Sequence, residues 1–186
     1  VESKEKLGYW NIRGLANGIR YQLAYLGVNF EDKRYDYGPA PDFHRESWNA
    51  EKFNLGLTFP NLPYYIDGEV KITESLSIHK YIAEKHNPDL CGKTPKERAE
   101  LDMVARIVHN GSKAKVTPMH YTKGAEKAKV TEETHKSLEP VIKYLGDKKF
   151  IMGDNLTWLD FYLLEYLECV DFFTDGEVFK KNPNAQ

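Results

Sequence analysis

The sequence predicts an α/β N-terminal domain followed by an all-α C-terminal domain. Lys6 to Tyr37 reads as strand, helix, strand. A hairpin at Asp67-Gly68, between two apolar runs, and then a second helix follow. Past the turn-rich stretch Asn87-Pro88-Asp89-Leu90-Cys91-Gly92-Lys93-Thr94-Pro95, no convincing strand occurs. The expected boundaries are residues 1–87 for the α/β domain, 88–95 for a linker and 96–186 for the helical domain.

Each element has a local reason. Lys6 to Trp10 is a short apolar run, read as a buried strand, and Gly8 and Gly14 flank the turn after it. Leu15, Ile19, Leu23 and Leu26 recur at helical period, with Gly27 at the position that ends a helix. Phe30 to Tyr37 alternates in part and carries aromatics, which suits a strand. Gly38 to Asp42 is a loop by composition, and Arg45 to Lys52 reads as a short helix or structured loop. Pro63 opens a strand, where a missing N–H costs least. Asp67-Gly68 is read as a type I′ turn, and Ser75 as the N-cap of a helix carrying Leu76, Ile78, Tyr81 and Ile82.

In the helical part, Leu101, Val104, Ala105 and Val108 predict a helix from Lys96 to about Ala114, broken by Thr117-Pro118. Leu138, Val141, Ile142 and Leu145 share a face of a helix from Glu126 to Leu145, with a kink expected at Pro140. Thr157 and Asp160 form a capping pattern ahead of an apolar helix from Phe161 to Val170, the expected centre of this domain's core.

Composition removes several function classes. The net charge of −2 over 186 residues leaves no basic excess for nucleic acid. No apolar run reaches the roughly 18 residues of a membrane span, and the charged start Val1 to Lys6 does not read as a signal peptide. Cys91 and Cys169 are far apart, with neither metal-ligand nor CxxC spacing, which fits a reducing, cytoplasmic setting.

The stretch Phe59 to Ser75 is the most informative. If Leu62–Pro63 is cis, the Leu62 backbone N–H and C=O turn toward solvent or a ligand. A helix opening at Ser75 aims free N–H groups at any nearby anion. Taken alone, this pattern favours a hairpin packed on a helix with no ligand. Likewise Tyr9 alone reads as packing, and Arg45, Trp48 and Lys52 as a solvated amphipathic turn.

Leu7-Gly8-Tyr9-Trp10-Asn11-Ile12-Arg13-Gly14-Leu15-Ala16, Trp48-Asn49-Ala50-Glu51-Lys52-Phe53 and Leu55 to Pro63 resemble the glutathione-binding half of the cytosolic glutathione transferases, and the mu class in particular. Gly153 to Phe161 resembles the family's buried capping motif. The resemblance implies a thioredoxin-like N-terminal domain and an all-helical C-terminal domain that is incomplete at its end, since related proteins continue for about two more helices.

It further implies a dimeric enzyme that adds the thiolate of glutathione, a co-substrate, to small hydrophobic electrophiles without a metal. Tyr9 is then the catalytic residue, donating to the substrate sulfur, and Trp10 and Leu15 are among the residues that bind glutathione. Arg45, Trp48 and Lys52 meet the glycyl end, Leu62 with Asn61 and Pro63 the cysteinyl backbone, and Glu74 and Ser75 the γ-glutamyl end. His120 or Tyr121 corresponds to a second-substrate tyrosine, and Phe59, Lys80 and Glu84 lie at the dimer contact. Glu74 stands where the class usually has Gln, Glu84 where it often has Arg, and Asn110 where it usually has an acid from the partner subunit. A non-catalytic scaffold in a larger assembly, and an isomerase or peroxidase acting on lipid-like substrates, are the alternatives.

Overall fold

A computed structural model describes residues 5–119 and 124–185, leaving aside the side chains of residues 112–119, 125 and 184. Two units separate along the chain, Val1–Asn87 and Pro88–Gln186. In the first, β1 (Glu5–Trp10), α1 (Gly14–Tyr25) and β2 (Phe30–Tyr35) form a parallel βαβ unit. A short α2 (Glu46–Asn49), the hairpin β3 (Tyr64–Asp67) and β4 (Val70–Thr73), and α3 (Ser75–His86) follow. The sheet has four strands in the order β2-β1-β3-β4, with β3 antiparallel to both β1 and β4. This is the mixed α/β unit that the element order predicts and the thioredoxin-like architecture that the resemblance implies.

Strand alternation sorts the first unit into two faces. Leu7 and Tyr9 on β1 share a face with Tyr65, the register partner of Leu7. Tyr65 meets Tyr81 of α3, and Ala16, Ile19 and Leu23 of α1 are buried in the same core. Gly8 and Trp10 point the other way, with their register partners Tyr64 and Tyr35. Trp48 of α2 stacks on Tyr64 and meets Tyr35 edge-on, so α2 covers this second face. Gly8 is obligatory here, because a Cβ would meet the Tyr64 ring at 2.1 Å. β2 is an edge strand, and the charges of Glu31, Asp32, Lys33 and Arg34 protect it from further pairing.

A charged cluster closes the far end of the first face. Glu5 accepts from the Tyr65 hydroxyl, from Lys85 Nζ at 2.6 Å and from His86 Nε2 at 3.0 Å. Burial acts to raise its pKa, but these donors outweigh it and hold Glu5 below the usual carboxylate range. The same face holds a polar pair between helices: Gln22 Nε2 donates to the His79 carbonyl at 3.0 Å, and His79 Nδ1 donates to Gln22 Oε1.

Local expectations and structure differ at a few points. Two residues, Gly68 and Glu69, join β3 to β4, and Gly68 alone of the two has positive φ, at 58°. That fits a type II′ turn, because type I′ needs positive φ at both central positions. Ser75 is the first helical residue and Glu74 the N-cap, so Ser75 does not cap α3. Pro63 immediately precedes β3.

The second unit carries α4 (Pro95–Met119), α5 (Gly124–Leu145), α6 (Trp158–Phe173) and α7 (Glu177–Lys181). The α4 helix packs on α5 and α6, and α6 on α7. It runs through Thr117-Pro118 rather than breaking there, since a proline this close to a helix end costs one N–H bond and interrupts no later turn. Asp160 accepts from the Thr157 N–H at 2.8 Å, the Thr157 hydroxyl at 2.7 Å and the Ile151 N–H at 2.7 Å, capping α6. Leu159, Leu163, Tyr166, Leu167 and Val170 of that helix are buried, as expected for the centre of a core.

Candidate active site

The β1–α1 connection fixes the Tyr9 hydroxyl. Tyr9 is buried to 7% exposure, and its oxygen accepts the Leu15 N–H from the first turn of α1 at 3.2 Å. Gly14 has φ +43°, and a Cβ there would lie 2.8 Å from that oxygen. Glycine is needed for the backbone to pass so close.

The connecting loop is held by charges that local spacing does not reveal. Arg20 Nε reaches both Asp32 carboxylate oxygens at 3.1 and 3.2 Å, and its Nη1 donates to the Ile12 carbonyl at 3.1 Å. Arg34 also binds Asp32 at 2.8 Å and donates to Asn11 Oδ1 at 3.3 Å. Asn11 in turn donates to Asp36 at 2.9 Å.

The segment before β3 presents unpaired backbone. Leu62–Pro63 is cis, and neither the N–H nor the C=O of Leu62 enters a backbone hydrogen bond among the described residues. Asn61 Nδ2 donates to Glu74 Oε1 at 3.2 Å, and the Thr73 hydroxyl donates to the Phe59 carbonyl at 3.1 Å. Glu74 has φ 72° and ψ 115°, a conformation that costs a non-glycine residue about 1–3 kcal/mol. Behind it, Ser75 Oγ is buried without a hydrogen-bond partner among the described residues. It sits at the N-terminus of the twelve-residue α3, where the helix field favours an anion.

The other face holds Trp10 and Trp48. Trp10 stacks on Tyr37 with centroids 4.2 Å apart and meets Tyr35 of β2 edge-on. Trp48 is 5% exposed. Lys52 is half-buried, its amine over the Phe53 ring, and Arg45 is exposed at the start of α2. Phe59 is 77% exposed, Lys80 half-buried and Glu84 exposed. His120 and Tyr121 lie outside the described residues.

Two family models match this chain. The glutathione S-transferase N-terminal domain covers residues 5–84, and the glutathione S-transferase C-terminal domain covers residues 101–186. The chain belongs to the glutathione S-transferase family. Similar transferases include a glutathione S-transferase of Tyrophagus putrescentiae, 43% identical over 90% of this chain and 75% of that one. Glutathione S-transferase Mu 2 of Macaca fuscata fuscata is 42% identical over 93% of this chain and 83% of its own length. Among solved structures, the glutathione S-transferase Blo t 8 superposes with a TM-score of 0.81 at 32% identity, covering 97% of this chain and 83% of that one. The transferase fold and the mu-class likeness thus agree with the sequence motifs.

Sequence reasoning passed over Gly14's contact with Tyr9 and the Arg20–Asp32 clamp. Nothing in their spacing marks them, because each acts on a residue brought near by the fold.

Proposed function

We propose that this chain is a glutathione transferase in which Tyr9 donates its hydroxyl proton to the sulfur of bound glutathione and the thiolate attacks a small hydrophobic electrophile. The observation that carries this reading is the Leu15 N–H on the Tyr9 oxygen, which holds the hydroxyl at the first turn of α1 in a fixed orientation. A thiol of ordinary pKa is mostly protonated at neutral pH, and a hydrogen bond to the thiolate lowers that pKa. Burial of the Tyr9 ring raises the value of such a bond by excluding water.

The unpaired Leu62 N–H and C=O suit the cysteinyl backbone, which they would hold as an added strand does. Ser75 Oγ and the first N–H groups of α3 suit the γ-glutamyl carboxylate, with Glu74 and Asn61 toward its ammonium. Trp48, Lys52 and Arg45 suit the glycyl carboxylate, Lys52 as a point charge. The Glu74 carboxylate adds a negative charge near another and lowers glutathione affinity relative to an amide at that position.

Retention on immobilised glutathione, together with turnover of a generic aryl halide, tests the assignment. Retention without turnover supports the scaffold alternative. A homodimer and a cytoplasmic setting are part of the same proposal. Phe59 at 77% exposure invites a partner's pocket, since burying such a ring is worth about 1.5–3 kcal/mol. Sedimentation is expected to give a dimer for the wild type and a shift toward monomer for Phe59→Ser. A monomeric wild type counts against the dimer.

A further inference from the structure

The α2 helix has four residues, too few to be stable alone, so its position comes from tertiary anchors. One anchor is Trp48, buried between Tyr35 and Tyr64. The other is Glu51, just past the helix end. Its Oε1 accepts from Lys33 Nζ at 2.9 Å and its Oε2 from the Tyr35 hydroxyl at 2.8 Å. The Tyr35 hydroxyl lies 2.9 Å from that of Tyr64, so a continuous chain runs from a surface lysine into the aromatic core. Tyr35 is 1% exposed and Tyr64 1%, which makes the inner half of this chain costly to leave unpaired. The Lys33–Glu51 pair is more exposed, at 35% and 40% of the side chains, and contributes less.

Glu51 is also joined to the residues on either side. Its N–H and that of Lys52 both donate to the Trp48 carbonyl, at 3.1 and 2.9 Å, and the Asn54 N–H donates to the Glu51 carbonyl at 2.8 Å. A displacement of Glu51 therefore moves Trp48 and Lys52 together. We infer that Glu51 is a positioning residue for the glycyl arm of glutathione, holding Trp48 and Lys52 in register through its bond to the buried Tyr35–Tyr64 pair. The inference rests on the glutathione site proposed above.

The test compares Glu51→Ala and Glu51→Gln with wild type, using glutathione and γ-glutamylcysteine, which lacks the glycyl residue, as thiol substrates. Glu51→Ala is expected to raise KM for glutathione about tenfold while kcat stays within about twofold and KM for γ-glutamylcysteine is unchanged. Glu51→Gln can accept from Lys33 and donate to Tyr35 with the tyrosine pair reversed, and is expected to recover KM to within about threefold of wild type. Equal rises for both thiols, or no rise for glutathione, overturn the assignment. Hydrogen exchange at residues 47–54 of the substrate-free protein reads the anchor separately. Faster exchange there in Glu51→Ala supports it, and unchanged exchange overturns it whatever the activity. A wild type that neither binds nor turns over glutathione overturns the functional reading and the glycyl assignment with it.

Discussion

The two faces of the N-terminal sheet are built differently and are suited to different tasks. The first is covered by two twelve-residue helices, α1 and α3, whose apolar stripes bury Ile19, Leu23, Ile78 and Ile82 completely. The second is covered by the four-residue α2, held by aromatic stacking and by a carboxylate. Long amphipathic helices are placed by apolar burial, which is insensitive to detail. A single turn of helix depends on a few directed bonds. The Tyr9 hydroxyl lies on the first face, and the sulfur activation proposed for it would need an orientation fixed in advance. The glycyl-binding candidates lie on the second face, where a point charge tolerates more movement.

Tyr9→Phe probes the first face most strongly. The expected result is a loss of about 10- to 100-fold in conjugation rate, with glutathione KM little changed, from one hydrogen bond to a charged group. The thiol's apparent pKa, read from rate against pH, should rise in the variant. An unchanged profile means another group sets the thiolate.

The same face contains a pH liability. Burial pushes the His79 pKa down to about 3. An unfolded histidine takes up its proton near pH 6.5. Between about 6.5 and 3 the unfolded chain thus binds more protons, and stability falls as pH falls through that window. At pH 4.5 the loss relative to pH 7 is roughly 2 kcal/mol. Urea midpoints at the two pH values measure it, and the double variant Gln22→Leu/His79→Leu is expected to remove most of this difference. A difference of the same size in the double variant assigns the effect to other groups.

Lys52→Ala should be the mildest change, on the second face. Glutathione KM is expected to rise about three- to tenfold at low salt, and less at high salt, with kcat unchanged. A fall in kcat equal to the effect on kcat/KM would remove the division of labour between the faces.

Much of this was legible from local pattern. The strand–helix–strand opening, the hairpin, and the three longest helices all follow from periodicity and turn residues. The hairpin was expected to turn at Asp67-Gly68 as type I′; the structure turns one residue later, at Gly68-Glu69, because Asp67 still pairs with Val70 and the turn type depends on the backbone of Glu69, which the dipeptide Asp67-Gly68 does not specify. Ser75 was expected to cap a helix; the fold instead uses Glu74 in a strained conformation and leaves the serine oxygen buried with no hydrogen-bond partner among the described residues. A hydroxyl before an apolar run predicts a cap on average, but tertiary packing decides which residue leaves helical dihedrals.

The sequence by itself determined the order of elements, the family, and which residue types stand at each corner of the candidate site. Those properties reside in spacing over a few residues. Only the tertiary structure decided which of them cooperate. The Tyr35–Tyr64 bond spans 29 residues and the Gln22–His79 pair 57, and both depend on strands and helices being brought side by side. The division between an apolar face that orients Tyr9 and an anchored face that carries Trp48 likewise arises from alternation along β1, which becomes a physical difference only when a helix covers each side.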